Sequence, residues 1–203
     1  MVKRIIICVV LLGMLGYAVF SFITDGENEA RNQEEQQEFG LEVGKVAPDF
    51  ELQTMKGEFV QLSDYRDEKV MLNFWATWCV PCQREMPDLE KLYQNTDIKI
   101  LAVNLIETET KYDDILNFAE DNSLTFPILL DNGEQATDLY HILSVPTTYL
   151  IDEKGVIQYR AFGQIDYDTM LKEYKKSKGK FLTDGKEIAQ AISFLFWYIM
   201  KEE

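Results

Sequence analysis

Two cysteines separated by two residues, Cys79 and Cys82, are the side chains in this sequence best suited to chemistry. Disulfide exchange needs a thiolate, yet a free cysteine ionises only near pH ~8.5. Trp78-Cys79-Val80-Pro81-Cys82 directly follows an apolar run and opens a stretch with helical periodicity. A cysteine at a helix N-terminus faces unpaired backbone N–H groups and the positive end of the helix dipole, and both favour its thiolate. Two intervening residues bring Cys82 back by about one turn, within disulfide reach. Cys79 is therefore expected to attack and Cys82 to resolve the mixed disulfide. Pro81 has no N–H and a fixed φ, so it should stiffen the turn. No cofactor beyond the redox-active Cys79–Cys82 disulfide is called for. A lone C-x-x-C also occurs in zinc ribbons, but no second pair follows, and the single histidine, His141, leaves a zinc site short of ligands.

The surrounding sequence predicts elements able to hold this motif. Pro48–Gln53 alternates apolar and polar residues, and Phe59–Leu62 follows a Met55-Lys56-Gly57-Glu58 turn, which suggests a hairpin. Val70–Trp75 is almost wholly apolar, as a strand covered on both faces would be. Residues from Val80 to about Gln94 read as a helix that Pro87 should kink or break. Further strands are expected at 98–105, 126–130, 147–152 and 156–160, with helices at 111–122, 134–141 and 166–176. Alternating strands and helices that end in a hairpin and a helix indicate an α/β domain around a mixed sheet.

The termini are different in kind. Residues 1–4 carry Lys3 and Arg4, and an apolar stretch without charge continues to about Ile23. About 19 helical residues span roughly 28 Å, close to the hydrocarbon thickness of a bilayer. No small-residue cleavage pattern follows Phe20, so residues 5–24 are expected to be an uncleaved transmembrane anchor in membrane lipid. Basic residues before the anchor and acidic ones after it place residues 1–4 in the cytoplasm and the rest outside, as a single-pass membrane protein. Cys8 lies inside the anchor as a small apolar residue. Residues 25–40 are polar and read as a tether, leaving 41–176 as the domain. Residues 177–203 form a tail whose 186–200 stretch is expected to be a short apolar helix, too short for a comfortable span.

Across 203 residues the hydrophobic content is 46% and the formal net charge −15. The first is enough for a core; the second argues against nucleic acid as a partner, because phosphate backbones call for Lys/Arg patches.

The segment Asn73-Phe74-Trp75-Ala76-Thr77-Trp78-Cys79-Val80-Pro81-Cys82 resembles the active-site segment of thioredoxin-like proteins. With Gln83-Arg84-Glu85-Met86-Pro87, Val46-Ala47-Pro48-Asp49-Phe50, Leu62-Ser63-Asp64-Tyr65 and Val145-Pro146-Thr147-Thr148, it is similar to the TlpA/ResA group of extracytoplasmic thiol–disulfide oxidoreductases. The resemblance covers residues 41–176. It implies a thioredoxin-like α/β fold, a central mixed sheet flanked by helices with an N-terminal hairpin extension. It also implies that Pro146 is cis and faces the dithiol, with backbone at Val145 pairing with substrate. Read from the residues alone, Pro146 is an ordinary trans proline opening a strand.

Asn73 stands where cytosolic thioredoxins usually carry a buried aspartate that moves protons, and Asn73 cannot titrate. The resemblance points instead to Glu85, one helical turn beyond Cys82, as the group that tunes the thiols and shuttles protons. It also points to Glu107 as a second acidic residue near the site. Trp78 is expected to be partly exposed and to contact substrate, together with Pro81. Trp75 is expected in the core, and His141 in packing or at the surface.

The activity implied is reduction of disulfides in exported proteins, of the cytochrome c maturation type. Its partners would be a disulfide-bearing exported protein such as apocytochrome c and a membrane protein that donates thiol reducing equivalents. Thiol oxidation is the alternative. A peroxiredoxin shares the Ala47-Pro48-Asp49-Phe50 opening, but its P-x-x-x-T-x-x-C spacing is not met, because Thr77 lies only two residues before Cys79 and no matching proline precedes it.

Overall fold

The computed structural model describes residues 39–177. Its strands are β1 (Glu51–Thr54), β2 (Phe59–Gln61), β3 (Val70–Trp75), β4 (Lys99–Asn104), β5 (Ile128–Leu130), β6 (Thr147–Ile151) and β7 (Ile157–Phe162). Together they make one sheet in the order β2-β1-β5-β4-β3-β6-β7. The β3–β4 and β4–β5 pairs are parallel, and the β1–β2, β1–β5, β3–β6 and β6–β7 pairs are antiparallel. The helices are α1 (Val80–Asn95), α2 (Tyr112–Asp121), α3 (Gln135–Leu139) and α4 (residues 167–177). This is the expected mixed-sheet α/β architecture, and the expected hairpin joins it through β1 against β5.

All six residues of β3 are buried, because both faces of the central strand are covered. The strand's two-residue period sorts them. Val70, Leu72 and Phe74 pack with Phe50, Tyr140 and Tyr149. Met71 and Trp75 pack with Met86, Leu89 and Leu92 of α1 and Met170 of α4. Asn73 shares the phase of Met71 and Trp75 and so points at α1 from the middle of the core.

Most elements occur where the sequence places them, with ends moved by one or two residues. The predicted 134–141 helix is shorter. Its first N–H groups are capped from upstream by Asp131, which accepts from Ala136 N at 3.0 Å and Thr137 N at 2.7 Å, and the chain leaves the helix at His141, φ 49°. His141 is exposed.

Of the kink or break expected at Pro87, the break does not occur. One α-helix runs through it, with Met86, Leu89 and Leu92 buried on the face toward the sheet. A proline removes one N–H from the helix ladder, and the helix continues past it on this buried face.

The 5–24 anchor, Cys8, nearly all of the 25–40 tether and residues 178–203 lie outside the described residues. Among the described residues, no helix is long and apolar enough to cross a membrane.

Candidate active site

The dithiol sits at the end of β3, the central strand, where the chain turns into α1. Cys79 and Cys82 form a disulfide, with Cα atoms 5.2 Å apart. Cys79 is the N-cap of α1, and its sulfur accepts a hydrogen bond from Cys82 N at 3.2 Å. This is the helix-end N–H that the spacing anticipates, and it strengthens when the sulfur becomes an anion. Cys82 is completely buried, whereas Cys79 keeps 4% exposure. In the oxidised form the small exposure of the pair belongs to Cys79 alone.

The Val145–Pro146 peptide bond is cis, as the resemblance implies. The Val145 carbonyl oxygen lies 3.5 Å from Cys79 Sγ. A disulfide has no S–H to donate, so this is a close contact. A carbonyl oxygen this close can accept from a thiol S–H, and its dipole disfavours the thiolate.

Glu85 is fully buried one turn along α1 from Cys82. Asn73 on β3 and Thr148 on β6 are Cα partners across the sheet, and their side chains meet the carboxylate together. Asn73 Nδ2 donates to Glu85 Oε1 at 2.8 Å and to Thr148 Oγ1 at 2.9 Å. The backbone N–H of Ile165 donates to Glu85 Oε2 at 3.0 Å. Burial dominates these hydrogen bonds and pushes the Glu85 carboxyl up to about 7. A carboxyl poised there can give or take a proton near neutral pH.

Three apolar side chains stand exposed on the segments that carry Cys79 and Val145: Trp78 at 55%, Val80 at 51% and Leu143 at 97%. Trp78 and Val80 flank Cys79 in sequence, and Leu143 lies two residues before Val145. Trp78 is oriented by its indole N–H, which donates to Thr108 Oγ1 at 3.0 Å. Pro81 is exposed in the first turn of α1, and Pro146 is buried. Trp75 is wholly buried in the core as expected.

Known proteins of the same kind match this arrangement. Residues 43–160, more than half of the chain, match the AhpC/TSA family. The thiol–disulfide oxidoreductase ResA of Geobacillus kaustophilus is 40% identical over 177 residues, 85% of this chain and 90% of that protein. The chain belongs to the AhpC/TSA family. Within it, the protein is a thiol–disulfide oxidoreductase of the ResA type. The thioredoxin-like protein YneN of Bacillus subtilis is 38% identical over 88% of this chain and 98% of its own length. The crystal structure of the exposed lipoprotein thioredoxin Etrx1 from Streptococcus pneumoniae superposes with a TM-score of 0.55 at 30% identity, covering 64% of this chain and 99% of that one.

In this ResA-type oxidoreductase the structure groups Cys79, Val145 and Pro146 around the disulfide, with Trp78 and Pro81 exposed beside it and Cys82 and Glu85 buried behind it. Glu107 makes its contact elsewhere. It is exposed, and its carboxylate accepts from Gly133 N at 3.1 Å. The carboxylate tied to the reactive turn is Glu109, which the sequence reading did not single out. Glu107 and Glu109 alternate in Glu107-Thr108-Glu109-Thr110, and no spacing rule separates them. The short 3-10 turn Ile106–Thr108 lies between β4 and Glu109, the one that reaches Thr77.

Proposed function

We propose that this oxidoreductase works outside the cytoplasm, held at the membrane by residues 5–24, and reduces disulfides in exported polypeptides in the manner of cytochrome c maturation. One observation carries the reading. Of the two sulfurs of the dithiol, that of the less buried residue, Cys79, belongs to a segment whose neighbours Trp78 and Val80 are exposed apolar side chains, which fit a polypeptide chain better than a small hydrophilic disulfide. The charge pattern around the apolar N-terminal stretch supports the location, as does the similarity to a protein described as an exposed lipoprotein.

The steps balance with the groups present. The Cys79 thiolate attacks one substrate sulfur, the substrate S–S bond breaks, and one substrate thiolate leaves. Glu85 takes the proton from Cys82, whose thiolate then attacks Cys79 Sγ. The mixed disulfide breaks, the second substrate thiolate leaves and is protonated, and the two electrons have passed from Cys79 and Cys82 to the substrate. The dithiol is the only redox group used. A membrane protein carrying thiol reducing equivalents restores it. Val145 and Pro146 offer backbone to the substrate chain, and Trp78 and Pro81 line the surface.

Expressing the full-length Cys82→Ser variant in its own cells tests this reading. A substrate should remain trapped on Cys79, and apocytochrome c is the expected catch. Recovery of small thiols alone would overturn it. The second reading, thiol oxidation, draws on the helix-end N–H that stabilises the Cys79 thiolate and so makes the disulfide more oxidising. The reduction potential separates the two directions.

A further inference from the structure

The turn that presents Cys79 is braced from the strand beside it. After β4 the chain passes through the Ile106–Thr108 turn and comes back under residues 75–78. Leu105 N donates to Trp75 O at 3.0 Å, and Glu109 N donates to Ile106 O at 3.0 Å. These bonds place the Glu109 carboxylate against Thr77, two residues before the reactive sulfur. Glu109 Oε1 accepts from Thr77 N at 2.7 Å, and Oε2 accepts from Thr77 Oγ1. The remaining polar group of Thr77, its carbonyl, accepts from Gln83 Nε2 at 2.7 Å. Thr77 is thus held at its N–H, hydroxyl and carbonyl.

A second observation points the same way. Asn104 is completely buried at the end of β4, opposite Trp75 in the parallel ladder. Its Oδ1 has no hydrogen-bond partner, which makes it a costly core residue. Its Nδ2 donates to Glu109 Oε1 at 2.8 Å. Asn104 therefore anchors the carboxylate from inside the core, as Thr77 engages it from outside.

We propose that Glu109 is a positioning residue for disulfide exchange: by clamping Thr77 against Asn104 it fixes the turn that sets Cys79 against the N-terminus of α1. It acts through Thr77 and does not touch the reacting sulfurs. The inference rests on the exchange activity and is independent of direction, location or substrate.

The test uses the full-length protein in detergent, with hydroxyethyl disulfide as substrate, and follows the pH profile of Cys79 alkylation by iodoacetamide. Glu109→Gln keeps an acceptor for Thr77 N–H but loses the charge, whereas Glu109→Ala loses both. Glu109→Ala is expected to slow exchange roughly 10–100-fold, the usual scale for a misplaced reacting group. It should also move half-alkylation to higher pH than in Glu109→Gln, and Glu109→Gln should stay close to the unaltered protein. Thr77→Val removes only the hydroxyl; it should cause a smaller loss and add nothing in the Glu109→Ala background. Equal effects of Ala and Gln would mean that the charge matters and not the clamp, and would overturn the proposal. So would additive effects of Thr77→Val and Glu109→Ala, or an Ala variant altered only in melting temperature. If the unaltered protein fails to exchange with the disulfide, it is the exchange reading that falls.

Discussion

Glu85 and Asn73 meet in the core with 2.8 Å between carboxylate oxygen and amide nitrogen. One comes from the reactive helix and the other from the strand beneath it. The amide offers a hydrogen bond but no charge, so it holds the carboxyl in place without keeping it ionised. Burial then governs, and the carboxyl stays protonated up to about pH 7.

A pH dependence of stability follows. Unfolded, Glu85 loses its proton near its ordinary value of 4.5; folded, it keeps it to about 7. Between those values the native state binds more protons, so stability falls as pH rises. The contribution is full below 4.5 and lost above about 7, and is worth about 3 kcal/mol. Denaturant unfolding of the oxidised protein across this range should show the fall in the native sequence and not in Glu85→Gln. Parallel profiles for the two would refute the account.

The burial difference between the two sulfurs predicts selective labelling. In the reduced protein, iodoacetamide should modify Cys79 at least about tenfold faster than Cys82, because only Cys79 reaches the surface and is stabilised as thiolate by a helix-end N–H. Peptide mapping after partial reaction reads this directly. Equal modification would show that Cys82 is open.

The exposed apolar side chains on these segments predict a split between substrates. Leu143→Asp should reduce kcat/KM for a disulfide-bearing polypeptide by roughly 10-fold, about the value of one buried apolar side chain. It should leave kcat/KM for hydroxyethyl disulfide nearly unchanged. Loss with both substrates would point to disturbance of the Val145–Pro146 turn instead.

Direction is fixed by potential. A reductant of exported proteins is expected to lie below roughly −180 mV, and a value well above that favours the oxidative reading. Equilibration of the full-length protein with glutathione buffers supplies the number.

Gly155 turns the chain from β6 into β7 at φ +80°, and a Cβ there would meet the Arg66 guanidinium 2.1 Å away. Gly155→Ala should cost about 1–3 kcal/mol. Adding Arg66→Ala should return only the steric share, because the positive φ remains. Full recovery in the double variant would mean that backbone strain contributes nothing.

How much of this was legible in the sequence depended on the range of the interactions. Val70–Trp75 announces a buried strand and the dithiol announces a helix start, because both signals are local. A break at Pro87 was a local expectation too, but the helix continues through it with Met86, Leu89 and Leu92 buried. The partners of Glu85 were beyond reach. Thr148 and Ile165 lie 63 and 80 residues away along the chain, and only the sheet register brings them together. Glu109 was hidden for a related reason, since its role depends on how a three-residue turn rotates the chain after β4.

The sulfur of Cys79 is also the cap of its own helix, taking the Cys82 N–H while the Val145 carbonyl faces it from the other side. One contact favours the anion and the other opposes it. Whatever free energy the fold spends on the anion appears twice: once as extra resistance of the reduced protein to unfolding, and once as a stronger pull on electrons. Evolution could therefore shift the electron affinity of this protein by moving the loop at Val145, with both cysteines left untouched, and the change would register as a difference in melting temperature between the reduced and oxidised forms.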